Sequence, residues 1–142
     1  MRQNTKTLIG NVNNTTNTLT VLTAQFDTKG FGHTKILYLS ASTGAVTTNG
    51  VTLVETDTTN GTTNAVTGFT QGTDYTASTA SNVTTLAKVI LSVPNTGRKR
   101  YLNVSVSHAT GQIGSALIAE LSLPFDGASD AAGAGAATAV GI

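Results

Sequence analysis

Apolar and β-branched residues in this chain alternate in short runs, and turn signals containing glycine or asparagine separate them. A two-residue period places successive side chains on opposite faces of an extended strand. The runs cover residues 19–26, 35–41, 51–56, 74–77, 86–93, 100–107 and 116–123. The Ala, Leu and Glu in 116–123 would also suit a short helix, but its length and its neighbours favour a strand. The turn signals are Thr28-Lys29-Gly30, Asn49-Gly50, Asn60-Gly61, Gln71-Gly72, Asn95-Thr96-Gly97 and Thr110-Gly111. Six or seven short strands punctuated this way predict an all-β fold, a single antiparallel β-sandwich or a small jelly-roll-like barrel. The expected core is Leu19, Val21, Phe26, Ile36, Tyr38, Leu53, Leu86, Val89, Leu91, Leu102, Val104, Val106, Leu117, Ala119 and Leu121.

The strand-bearing body spans residues 17–123, and extended arms flank it. Residues 1–16 are polar and rich in Asn and Thr, with Leu8, Ile9 and Val12 as their only apolar anchors. Residues 124–142 are rich in Ala and Gly. Gly133, Gly135 and Gly141 interrupt any helix there, and few large side chains are available to bury. Such a segment reads as a tail, or as an arm that orders against a neighbouring subunit with Val140 and Ile142 as its end anchors.

Surface chemistry narrows the function. Charged residues make up 11% of the 142, the net charge is +1, and threonine occurs 28 times. Phosphate binding by bulk electrostatics needs a clustered basic surface, so a nucleic-acid partner is not expected. Exposed sheet edges ordinarily carry charge to block pairing with other chains. A sparsely charged, threonine-covered sandwich with little net charge tends to associate. The expectation is an obligate assembly, a homo-oligomer.

No catalytic or metal constellation emerges. Cysteine is absent, which excludes a thiol nucleophile and Cys-based metal sites. The two histidines, His33 and His108, fall in a glycine turn and at a strand end. Glu55 and Asp57 are the only acids two positions apart, and the carboxylate-rich spacing of a calcium loop is missing. Gly30-Phe31-Gly32 begins like a dinucleotide fingerprint, but Lys35 stands where the third glycine belongs and a strand follows. No cofactor and no enzymatic activity are therefore expected. Asn-x-Ser/Thr sequons occur at Asn13, Asn14, Asn60, Asn82 and Asn103, as chance supplies in such a composition. No signal peptide or membrane span is expected, which predicts synthesis in the cytoplasm. Arg98-Lys99-Arg100 is the one basic cluster. Strand alternation would send Arg98 and Arg100 to one face and Lys99 to the other, as charges that guard a strand edge or meet an acidic partner.

Phe26-Asp27-Thr28-Lys29-Gly30-Phe31, then Leu53-Val54-Glu55-Thr56-Asp57-Thr58, then Pro94-Asn95-Thr96-Gly97 running into Arg98-Lys99-Arg100-Tyr101-Leu102-Asn103-Val104, form an order that resembles the small β-rich head decoration, cement or minor capsid proteins of tailed bacteriophages. The resemblance covers roughly residues 25–123, and the polar stretch 56–81 departs from the compact pattern. It implies a virion protein on the outer capsid surface, a trimer or dimer that bridges neighbouring subunits of the major capsid protein, with no catalytic residues. Two further readings compete with it: a phage tail, fibre or head–tail joining protein, and a carbohydrate-binding adhesin-type module, against which the lack of tryptophan counts.

Overall fold

The structure is a computed structural model that describes residues 5–13, 19–40, 46–75, 87–112, 114–123 and 139–141. Among the described residues nine strands follow in order: β1 (Thr5–Asn13), β2 (Leu19–Asp27), β3 (His33–Ser40), β4 (Val46–Thr56), β5 (Asn64–Ala65), β6 (Ala87–Pro94), β7 (Tyr101–Gln112), β8 (Ser115–Ser122) and β9 (Ala139–Gly141). No helix occurs among the described residues. One sheet has the order β1-β8-β3-β6-β9 and the other β2-β7-β4-β5. All pairings are antiparallel except β9, which lies parallel to β6. The chain passes from one sheet to the other between β1 and β2, β2 and β3, β3 and β4, β5 and β6, β6 and β7, and β7 and β8. That order is a jelly roll with one added strand, an open sandwich rather than a closed barrel.

Alternation decides which side chains form the core. Ile36 and Tyr38 of β3, Val89, Leu91 and Val93 of β6, and Leu117, Ala119 and Leu121 of β8 face inward from the larger sheet. Leu22, Ala24 and Phe26 of β2, Val51 and Leu53 of β4, and Leu102, Val104 and Val106 of β7 meet them from the smaller one. The expected core holds at Phe26, Ile36, Tyr38, Leu53, Val89, Leu91, Leu102, Val104, Val106, Leu117, Ala119 and Leu121. Val21 is instead 42% exposed. It has the opposite parity to Phe26 in one strand, so both cannot face inward. Leu86 and the side chain of Leu19 lie outside the described residues.

Residues 5–13, read from the sequence as part of an arm, are an edge strand paired along β8 from Thr5↔Ser122 to Asn13↔Ser115. The register slips between Ile9 and Asn11, so Gly10 is the extra residue of a β-bulge. A Cβ on Gly10 would lie 2.5 Å from the Ala24 Cβ and 2.7 Å from the Phe26 ring. Only glycine lets β1 approach β2 this closely, and Asn11 Nδ2 donates to the Thr23 carbonyl at 2.9 Å beside it.

Two turn signals behave differently from expectation. Asn49-Gly50 lies within β4, where the pairing with β7 slips between Val46 and Val51. Thr110-Gly111 lies within β7. Asp74 and Tyr75 belong to no named strand, although Gln71 and Tyr75 make an isolated bridge, and residues 76–77 of that expected strand lie outside the described residues. The polar segment after β4 contributes to the core through Val66, Phe69 and Tyr75. Beyond β5 the edge of β4 is capped by a side chain, since the Val51 N–H donates to Gln71 Oε1 at 2.7 Å.

Candidate functional site

Three surfaces carry the chemistry. The first is the end of the sandwich formed by the β2–β3, β4–β5 and β6–β7 connections. Arg98, Lys99 and Arg100 lie in the last of these, before β7 begins. The strict alternation expected of them therefore does not apply, because it belongs to paired strands. Arg98 Nη1 and Lys99 Nζ both turn toward β4 and its loop, 3.7 Å from Glu55 Oε2 and 3.3 Å from Asp57 Oδ2. Arg100 turns toward β2, donating from Nε and Nη2 to the two carboxylate oxygens of Asp27 at 3.0 and 2.6 Å. That bidentate pair holds the Asp27 carboxyl below its ordinary range. Arg98 also sits 5.9 Å from the Phe69 ring centre and Arg100 4.8 Å from that of Tyr101.

Hydrogen bonds fix this end. Thr28 donates to the Arg100 carbonyl from both its N–H (2.9 Å) and its Oγ1 (2.7 Å). Asn95 donates from its N–H to the Gly32 carbonyl and from Nδ2 to that of Phe31, and its Oδ1 accepts from Thr34 Oγ1. Gly30 takes φ +87° and Gly97 φ +76°, left-handed values that favour glycine. Lys29, Arg98, Lys99 and Arg100, half of the chain's eight Lys and Arg residues, line a cleft of about 340 Å³ together with Thr28, Gly30, Phe31 and Asn95. Each of the three cations of the cluster already has an acid within 4 Å. Their attraction for an outside anion is thereby reduced, and their first role is to join β2, β4 and β7.

The second surface is the outer face of the five-stranded sheet. Cross-strand register sets Ile9, Ile118, Leu37 and Ile90 in one row across β1, β8, β3 and β6. Val12, Ala116 and Leu39 form part of the adjacent row. Ile9 is 70% and Val12 56% exposed, while Ile90 at the far end of its row is 1% exposed. On the opposite side the face turns polar. Lys35 Nζ lies 3.6 Å from Glu120 Oε2, and His33 Nε2 shares a 2.8 Å hydrogen bond with Ser92 Oγ. Burial shifts His33 toward its neutral form. The signal for this apolar band is present in the sequence. Ile36-Leu37-Tyr38-Leu39, Val89-Ile90-Leu91 and Leu117-Ile118-Ala119 are continuous rather than alternating, as in strands covered on both faces.

The third surface is the outer face of the four-stranded sheet, a polar trough of about 460 Å³. Register sets Thr23, Ser105 and Thr52 in one row of its floor, and Gln25, Asn103 and Val54 in the next. Thr59 and Asn60 form a wall, tied to the floor where Gln25 Nε2 donates to the Thr59 carbonyl at 2.9 Å. Asn103 Oδ1 is buried without a hydrogen-bond partner.

The remaining sequence candidates do not converge. Val140 lies in β9, its backbone in register with Leu91, while Ile142 lies outside the described residues. His108 is in β7, opposite Val46. Among the described residues no group of three His, Cys, Asp or Glu could hold a metal ion. No helix among them is long and apolar enough to cross a membrane. Comparison with protein-family models, with curated proteins and with solved structures finds no match to this chain.

Proposed function

We propose that this chain is a structural virion protein of a tailed bacteriophage, a decoration or cement protein that binds the outer surface of the head and bridges neighbouring major capsid subunits. The observation that carries the reading is the apolar band on the outer face of the larger sheet, open at Ile9 and Val12. Water-exposed aliphatic side chains in two adjacent rows mark a surface that another chain covers. The sparse charge supports the same conclusion, and the jelly-roll order agrees by fold-level analogy alone.

The mechanism is linkage. A clamp that binds only the assembled shell stabilises that state by mass action. Each contact can be modest because many symmetric copies act together. The cleft at Lys29 and Arg98–Arg100 supplies polar contacts at the rim of such an interface. The protein acts as a homo-oligomer, without a cofactor or a catalytic step.

The test is co-sedimentation of the purified protein with empty phage heads, alongside its mass by light scattering. Saturable binding, weakened by Ile9→Ser with Val12→Ser while the melting temperature is unchanged, is the expected result. A monomer that ignores heads at every salt concentration would overturn the reading.

A further inference from the structure

The trough on the four-stranded sheet has a chemistry unlike either of the other surfaces. Its lining residues are Thr, Ser, Asn, Gln, Gly, Ala and Val, and none is charged. Hydroxyls and carboxamides both donate and accept hydrogen bonds. Two cross-strand rows, Thr23–Ser105–Thr52 and Gln25–Asn103–Val54, present these groups on a floor two residues deep and three strands wide. Rows two residues apart are separated by about 7 Å, and neighbouring strands by about 4.8 Å. That grid suits a ligand with polar groups distributed along its whole length. The volume, about 460 Å³, falls among those of small-molecule sites, which run from about 300 to 1,000 Å³.

A buried acceptor strengthens the case. Asn103 is on β7, the central strand of the floor, and its Oδ1 has no donor. Buried polar atoms are nearly always paired, and this acceptor, closed to solvent in the free trough, gains a partner from outside when the Asn103 amide turns toward a ligand. The opposing Gln25 amide is committed to the wall through Thr59. A ligand hydroxyl is a donor that can meet Asn103 without bringing in a charge.

We infer that this trough binds a neutral oligosaccharide. Other ligand classes fit it less well. An anion or a cation would find no countercharge in the lining. An extended peptide pairs through backbone groups at a sheet edge, whereas the β7 backbone is already paired to β2 and β4 on either side. An apolar molecule would strand the floor hydroxyls and amides without partners. The sugar's hydroxyls meet the two polar rows, and its C–H face lies against Val54, the apolar member of the floor. This site is separate from the apolar band, so shell binding and glycan binding can fail independently.

The experiment uses the full chain on an array of immobilised neutral oligosaccharides ending in glucose, galactose, mannose or N-acetylgalactosamine, with sialylated and uronate-containing glycans alongside. Titration with the best-retained free oligosaccharide follows. The expected result is retention of a subset of neutral glycans. Ser105→Lys, which places a long cationic side chain at the centre of the floor, weakens that binding about tenfold or more. Asn103→Leu also weakens it, with an undiminished melting temperature, because replacing an unpaired buried acceptor with an apolar side chain removes no protein hydrogen bond. Val12→Ser leaves glycan binding unchanged. Retention of acidic glycans alone, no retention of any glycan at millimolar concentration, or binding that survives both trough substitutions overturns the inference.

Discussion

Replacing Gly10 with alanine tests the corner where the two sheets meet. The added methyl would stand 2.5 Å from the Ala24 Cβ and 2.7 Å from the Phe26 ring, against about 3.5–4.0 Å for carbon atoms in contact. Relief requires β1 to retreat from β2 by roughly 1 Å or more. That movement stretches the 2.9 Å bond from Asn11 Nδ2 to the Thr23 carbonyl past the useful range. Overpacking of this kind costs about 1–3 kcal/mol, and the lost hydrogen bond about 0.5–1.5 kcal/mol. Alanine recovers about 0.5–1 kcal/mol by restricting the unfolded chain. The net loss is about 2 kcal/mol, which for a chain of this length lowers the melting temperature by roughly 6–8 °C. Thermal unfolding followed by circular dichroism, with a urea titration to confirm an unchanged slope, measures it. Gly30→Ala is the companion variant. Nothing lies within 4 Å of its added Cβ, but its φ of +87° strains any L side chain, at about 1–2 kcal/mol. A Gly10→Ala protein as stable as the parent would refute the close β1–β2 packing.

Two other substitutions probe the remaining contacts. Gln71→Leu strands the Val51 N–H on the β4 edge, and a loss of about 1–3 kcal/mol in urea unfolding is expected. Asp27→Asn tests the ion pair through pH. The Arg100 guanidinium lowers the folded-state pKa of Asp27 below 3.8. The pair therefore stabilises the protein above pH 3.8 and loses that contribution as the pH falls through the lower folded value. The gap in urea midpoint between parent and variant is small, because both side chains are more than 40% exposed. It closes in acid, and a gap that widens there would contradict the assignment.

The β-rich runs identified six of the strands: burial alternates along β2, β3, β7 and β8, whereas β6 is buried continuously from Val89 to Val93 and was found by its β-branched and aliphatic content. The runs missed β1. Lys6 and Asn11 fall on the inward parity of that strand, so its burial pattern is diluted by polar residues and by the Gly10 bulge. The runs also missed the core contribution of Val66, Phe69 and Tyr75 because an irregular, threonine-rich segment carries no period to read. Asn49-Gly50 and Thr110-Gly111 are good turn sequences, but tertiary pairing holds both inside long strands. At the candidate sites, the basic cluster was visible as a run of letters. Its carboxylate partners were not, because Asp27, Glu55 and Asp57 come from strands and loops 42–73 positions away. The polar trough was invisible for a different reason. Threonine, serine and asparagine are so common here that no local signal separates a floor from ordinary surface.

Three of the antiparallel pairings are nested, β1 with β8, β2 with β7 and β3 with β6, and the pairings of β3 with β8 and β4 with β7 cross-link them. Among the described strands, β4 with β5 is the only pairing between chain neighbours. In a polypeptide wired this way most pairings join segments far apart in the chain, and the contact of Thr5 with Ser122 spans 117 positions. Self-assembly is then governed by long-range chain closure, and refolding belongs in the millisecond-to-second regime of β topologies rather than the microseconds of local ones.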